Sequence, residues 1–562
     1  MYRRRSKNRK KPSQANSLVP SQTVEENQPK QIDSQIEDTI SLIKGHLQSD
    51  DFTVRRFRIF GQYQAAVLFF SSLINKTMLN DDVLKPLMQV PSHLQSQLLS
   101  ADELKNVLQN DILHHAESQL EHETARLIDS LLRGESVVVV DGWEEALVIG
   151  TSYVEKRSIE QPSTEQVVRG SREGFVEVLM TNLSLLRYRL PSADFRVKTM
   201  KIGRITKSNV AICHIEGIAN PALVEEVKNR LEAIDIDGVL DSGYLEQLIE
   251  DNPLSPFPQL QNTERPDKAV ANLLEGRVIV LVDGSPFALI LPSVFTQFYQ
   301  SVEDYTGRFL MGSLVRMARL IALVFSLVFP SLYVSVISFN PELIPTKFAV
   351  AVAGGRAGVP FPAVIEVLVM EVSMEVLREA TLRMPQQVGG ALSIVGVLVI
   401  GQAAVAAGFV SPITVVMVAL TTIGSFATPA YDAAIALRML RFPLIILSGT
   451  FGLYGVMVGL ILIINHMLSL RSFGIPYLSP VVPGNFEGMK DTLIRSPIWW
   501  MRQRPSLLHV LNKTRIGHQT ANQHKQEPHN TLDPVKVGNR RGADLDGASP
   551  PDHSNPSSGN SD

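Results

Sequence analysis

Cysteine is almost missing from this chain: Cys213 is the only one in 562 residues. No disulfide can form within the chain, and no thiolate cluster can be built. Net charge is nearly missing too, at -3 overall, so no whole-protein field points to nucleic acid. No G-x-x-x-x-G-K-[ST] phosphate loop occurs, nor a G-x-S-x-G elbow, nor H-E-x-x-H. His114 and His115 are adjacent, so on a helix they point in different directions and make a poor metal pair. Nothing in this supports a nucleotide-driven pump or a hydrolase. The expectation is a protein that is not an enzyme and carries no cofactor and no metal.

The most informative absence is of charge over long stretches. The run from Met384 to Tyr431 has no charged residue. A span takes roughly 20 apolar residues, so this run has room for two, joined near Ser411-Pro412. Phe442 to Leu470 carries no Asp, Glu, Lys or Arg and only His466 besides, and Leu320 to Pro341 is free of charge throughout. The composition therefore divides the chain. A polar N-terminal half ends near Leu291, and a membrane domain with four to five spans is expected over 293–480. A polar juxtamembrane segment (481–511) and a disordered tail (512–562) follow.

Residues 1–33 read as a disordered basic tail with Arg3, Arg4, Arg5, Lys7, Arg9, Lys10 and Lys11. No apolar segment follows them, so they are not read as a secretory signal. They are either a solvated tail or a contact for anionic lipid. Ile36, Ile40, Ile43 and Leu47 share one helix face. Strand candidates follow at 57–60 and 65–70, then a helical stretch through Leu132, which gives a soluble α/β subdomain over 34–136. Val137 to Val140 is a β-branched run closed by Asp141-Gly142, with Ala146 to Ile149 as its hairpin partner. Strands around Gly203, a helix from Pro221 and a second from Leu240 come next. Arg277 to Val282 then closes on Asp283-Gly284 and echoes the earlier strand and turn. This makes a second α/β subdomain, 137–292. Within it, Cys213 reads as a buried small hydrophobe. The aromatic stretch 292–308 is expected to lie in the membrane interface.

In the membrane half, Ala363 to Arg383 reads as one helix with Glu366, Glu371, Glu375 and Glu379. The last three line one face, and Arg378 and Arg383 are spaced to pair with Glu375 and Glu379. Carboxylates at bilayer depth cost roughly 2.5–3.5 kcal/mol each. The helix therefore lies in the interface, or it faces a water-accessible interior where it steers cations. On the 388–410 helix, Ala391, Val395, Leu398 and Gln402 share a face suited to a constriction or to packing. Gly401, Ala404 and Gly408 make a close-packing face, and Gly455 and Gly459 a small-xxx-small pair in the last span. Arg308, Arg316 and Arg319 favour a cytoplasmic N-terminal region. The side of the C-terminus depends on whether 363–383 crosses.

Four stretches carry a family resemblance. They are Arg169-Gly170-Ser171-Arg172-Glu173-Gly174-Phe175; Arg265-Pro266-Asp267-Lys268 through Asp283-Gly284-Ser285-Pro286; Gly358-Val359-Pro360-Phe361-Pro362 with its acidic helix; and Val399 to Val405, ending at Ser411-Pro412. Across roughly residues 35–505 the chain resembles the A subunit of GerA-type spore germinant receptors. The resemblance implies a two-part α/β region followed by a helical, multi-span membrane domain in the spore inner membrane. It implies a B-type transporter-like subunit and a C-type lipoprotein as partners, membrane lipid around it, and no nucleic acid. It implies a homo-oligomer that forms a nutrient-gated ion channel and releases cations early in germination. Val395, Leu398 and Gln402 then become pore or gate candidates. The rivals are a non-conducting scaffold that docks the transporter-like subunit, and a related amplifier of ion release. A solitary carrier is disfavoured by the lack of an inverted repeat.

Overall fold

The Val-rich runs form central strands buried on both faces in a computed structural model that describes residues 31–89, 100–108, 112, 117–153, 161–383 and 399–517. The basic first segment, the end of the polar tail, His114, His115, Val395 and Leu398 lie outside the described residues. The first sheet has the order β1-β2-β4-β5-β3, with β1 (Phe52–Ile59), β2 (Tyr63–Phe70), β3 (Ser118–Glu121), β4 (Ser136–Val140) and β5 (Ala146–Ile149). All its pairings are antiparallel. Successive β4 residues feed two different cores: Val138 and Val140 one, Val137 and Val139 the other. That is the period-2 alternation of a strand covered on both sides. Helix α1 (Ile36–His46) covers one face through Ile36, Ile40 and Ile43, joined by α3 (Thr124–Leu132). A helical run over 76–88 and α2 (Ala101–Val107) cover the other. Burying a side chain of this size contributes about 1.5–3 kcal/mol.

The second half repeats the first. Its order is α4 (Leu179–Arg189), β6 (Phe195–Ile202), β7 (Ser208–Ile215), α5 (Pro221–Glu232) and α6 (Ser242–Ile249). Then come β8 (Gln261–Thr263), α7 (Pro266–Glu275), β9 (Val278–Val282) and β10 (Ala288–Leu291). Its sheet order, β6-β7-β9-β10-β8, matches the first sheet position for position. The echoed Asp-Gly turns are equivalent parts. Gly142 (φ 86°) and Gly284 (φ 92°) take the left-handed conformation that favours glycine. The preceding aspartates accept from the first free N–H of each half's opening helix: Ile36 N to Asp141 Oδ1 at 3.3 Å, and Leu179 N to Asp283 Oδ1 at 3.1 Å. A helix start leaves such donors without intrahelical partners, and a carboxylate there also meets the positive end of the helix dipole.

This pairing moves the expected division at 137. The hairpin β4–β5 completes the first sheet, so the boundary lies beyond Ile149. Cys213 is fully buried in the second core, and burial pushes its thiol pKa up. A buried ion pair fastens the halves together. Arg187 on α4 donates to both oxygens of Asp51, at 2.5 and 2.6 Å, and to Ser49 Oγ at 2.7 Å. Its guanidinium also lies over Phe70 and Phe195.

The C-terminal half is helical. α8 (Phe295–Phe298) and α9 (Glu303–Thr306) lead into α10 (Phe309–Phe339), followed by α11 (Thr346–Arg356) and α12 (Ala363–Leu382). Helix α13 covers 399–406, and α14 (Pro412–Ser425) and α15 (Tyr431–Ser469) complete the set. Among the described residues, α10 and α15 are long and apolar enough to cross a membrane. α15 is not straight. Gly452 adopts φ 61°, ψ -143° and folds it into a hairpin with arms 431–451 and 453–469. A Cβ on Gly455 would overlap the Leu447 carbonyl oxygen, and one on Gly459 would strike the Leu444 side chain. The small-residue pair thus packs on the other arm of the same hairpin, and Phe442–Leu470 is not the single span expected from its composition.

Contacts fix the directions of the other helices. Tyr333 meets Thr414 at 2.9 Å, and Gly424 faces the Ala322 carbonyl, so α14 runs antiparallel to α10. Glu366 meets Thr414 at 3.1 Å and Arg378 meets Ser425 at 3.2 Å, so α12 runs parallel to α14. Residues 497–502 and 514–517 belong to a separate small unit, in which Arg515 N donates to Arg502 O at 2.8 Å.

Candidate functional site

The second sheet meets the helices at one end of the bundle. Asp304, 1% exposed, accepts from Arg316 Nε at 3.0 Å and from Arg319 Nη1 at 3.2 Å, both at the start of α10. Arg316 also donates to Asp491 at 2.9 Å, and Asp491 accepts from the Tyr305 hydroxyl at 2.7 Å. Tyr477 is buried among Phe257, Phe295 and Phe298, with ring centroids 6.1–6.2 Å apart. Both feet of the α15 hairpin land here. Asn262 of β8 donates to Asp432 at 2.7 Å, and Ser255 meets His466 at 2.9 Å. The 292–308 stretch is therefore not spread along an interface: Phe298, Tyr299 and Asp304 are inside this junction.

The four family stretches come together as two clusters. Arg265, 1% exposed, donates to Asp267 at 2.7 Å and to the Ser171 carbonyl at 3.0 Å. Arg189 donates to Ser171 Oγ at 2.8 Å and pairs with Glu173. Thr306 donates to the Arg169 carbonyl at 3.1 Å. The 169–175 stretch is thus a strap between α4, the Arg265 turn and the approach to α10. Gly170 lies beside the Arg265 guanidinium, Gly174 is buried and Arg172 is exposed. At the opposite end of the bundle, Phe361 stacks on Phe409. Pro360 and Pro362 are exposed, and the Pro362 carbonyl accepts the first helical N–H groups of α12.

Each carboxylate of α12 has an arginine. Glu366, 1% exposed, pairs with Arg356 at 2.9 Å and accepts from Ser411 N at 3.0 Å. Glu371 pairs with Arg441 at 2.6 Å. Glu375 pairs with Arg378 at 2.9 Å and Arg438 at 3.4 Å, and Glu379 with Arg383 at 2.6 Å. Arg438 and Arg441 were not singled out in the sequence. They sit between two uncharged runs, and their signal was the price of two arginines placed beside apolar segments. Gln402 is exposed on α13 beside Ala403 and Ala406, whereas Gly401 is buried and faces Val415.

Near the hairpin foot, burial raises the Glu246 pKa from 4.5 to about 8, helped by the negative charges of Asp432, Glu250 and Asp241. The unfolded chain ionises near 4.5 while the folded chain keeps the proton, so this residue's contribution to stability falls as pH rises across that window. Glu246→Gln should leave the unfolding temperature unchanged near about pH 5 and raise it at about pH 8. Parallel pH profiles for variant and wild type would sink this assignment.

A sequence profile described as "Bacillus/Clostridium GerA spore germination protein" matches residues 40–507. Spore germination protein KA of Bacillus subtilis (strain 168) is 44% identical over 84% of this chain and 86% of its own length. The uncharacterised membrane protein YfkQ of the same organism is 42% identical over 81% of this chain and 87% of its own. Among solved structures, the N-terminal domain of the A subunit of the Bacillus megaterium spore germinant receptor GerK3 is 32% identical. It covers 48% of this chain and 98% of its own, with a TM-score of 0.38.

Proposed function

The chain belongs to the Bacillus/Clostridium GerA spore germination protein family, and from that premise we propose that it is the pore-forming subunit of a nutrient-responsive germinant receptor. Copies of it assemble in the spore inner membrane, alongside a transporter-like subunit and a lipoprotein, and release cations early in germination. The chain crosses the membrane six times, through α10, α12, the 388–408 segment, α14 and both arms of α15. The N-terminal half and the residues after Leu470 then share one side, the cytoplasm. The landing of both hairpin feet on the second half supports this count.

The observation that carries the reading is Gln402. A side-chain amide turned outward from an apolar helix is costly against lipid and favourable against water or another copy. Helical spacing puts Val395 and Leu398 on the same face, where they would form the constriction. Glu375 and Glu379 keep partly exposed carboxylates for steering cations, and Glu366 and Glu371 hold α12 in place. Spores lacking the gene should lose early potassium release for one nutrient class. Restoring the gene with Gln402→Leu should leave release at the deletion level although the protein reaches the membrane. Normal release from that variant would refute the pore assignment.

The arginine partner on every α12 carboxylate favours a second reading, a non-conducting scaffold. Under that reading Glu375→Gln leaves ion release unchanged.

A further inference from the structure

We propose that Arg438 and Arg441 hold one monovalent anionic group between α12 and the first arm of α15. Three arginines (378, 438 and 441) face two carboxylates there, Glu371 and Glu375. Glu379, one turn further along α12, is already committed to Arg383 and exposed. The cluster therefore carries one positive charge in excess. Its members are deep: the side chains of Arg441 and Arg438 are 3% and 8% exposed.

The donors point the same way as the charge count. Arg441 uses Nη1 on Glu371 at 2.6 Å, but its Nε and Nη2 have no hydrogen-bond partner among the described residues. Arg438 Nε makes no hydrogen bond either, only the ion-pair contact to Glu375 at 3.4 Å, and Glu371 Oε1 is likewise without a donor among the described residues. Buried N–H groups left without acceptors each cost about 1–3 kcal/mol, more when charged. An uncompensated charge in an apolar bundle costs several more. A water molecule would accept from the N–H groups and leave the charge. A halide, a small carboxylate or a lipid phosphate would answer both needs, and the planar guanidinium fork suits an oxyanion best. The site is separate from the Gln402 face and stands whether or not the chain conducts.

The test uses the full chain in nanodiscs of neutral lipid. Unfolding temperature is followed while potassium chloride or potassium acetate replaces a bulky sulfonate salt at constant ionic strength. A saturable rise of about 2–4 °C is expected. R438Q removes the excess charge with a donor and leaves the Arg441–Glu371 pair intact, so it should fold and lose the response. R441Q, which also unpairs Glu371, should lose the response at a lower unfolding temperature. R383Q, at an exposed pair, should keep it. A rise in anionic phosphatidylglycerol discs without added chloride or acetate, lost in R441Q, would identify a lipid headgroup as the source. No rise with any of these anions, or an equal rise in R441Q and R438Q, would overturn the proposal.

Discussion

Arg187→Met should lower the stability of the chain by about 3–5 kcal/mol, the loss typical when one partner of a buried pair is removed. Asp51 would be left in a site where its side chain is 2% exposed. Burial works against its ionisation, but Arg187, with Ser49 and Ser72, outweighs burial and holds its pKa below the ordinary 3.8. The pair's contribution is therefore complete above about pH 4 and disappears as pH falls through the lowered value. The variant should lose that acid sensitivity along with the stability. Asp51→Asn combined with Arg187→Met should cost less than Arg187→Met alone, because no unpaired charge remains. Denaturant titration monitored by hydrogen exchange over residues 46–51 and 187–199 measures this. A loss below about 1 kcal/mol, as for a surface pair, would show that the halves are held by something else.

Gly455→Val should keep the protein from accumulating in the membrane. The added Cβ would fall on the Leu447 carbonyl, and Phe451 closes the other side. Overpacking against side chains usually costs about 1–3 kcal/mol because they can yield. Here the obstacle is backbone of the facing arm, so the hairpin must open. Gly354→Ala, where nothing lies within 4 Å, should accumulate normally. Quantifying both proteins in spore membrane fractions decides it, and equal amounts would mean that the arms do not pack this closely.

Much of the N-terminal architecture was readable because β-branched runs and Asp-Gly turns are local signals. The paired motifs 137–142 and 278–284 were legible as strands, but as parts of one subdomain; their likeness proved to be a structural repeat across two sheets. Strands β3 and β8 escaped because Ser118-Gln-Leu-Glu and Gln261-Asn-Thr are short edge segments whose polar residues show no apolar alternation. The division at 137 was misplaced because a hairpin's partner sheet is decided by long-range pairing with β2. Gly452 is a single glycine inside an apolar stretch, and hydropathy cannot distinguish one long helix from a folded one. In the candidate site, the spacing of α12 predicted its two local pairs, Glu375–Arg378 and Glu379–Arg383. Partners brought from Arg356, Arg438 and Arg441 depend on packing between elements, which no local window contains.

The two-footed hairpin has a mechanical consequence. A rod tethered at one end swivels freely, but a bent rod tethered at both ends transmits tilt. Asp432 and His466 are both tied to the short Ser255–Asn262 stretch. Any displacement of that stretch moves the two arms as one lever, with Gly452 as its distant tip. Gly449 of the first arm packs on Val364 of α12, so the lever's far end bears directly on the helix that carries the buried carboxylates.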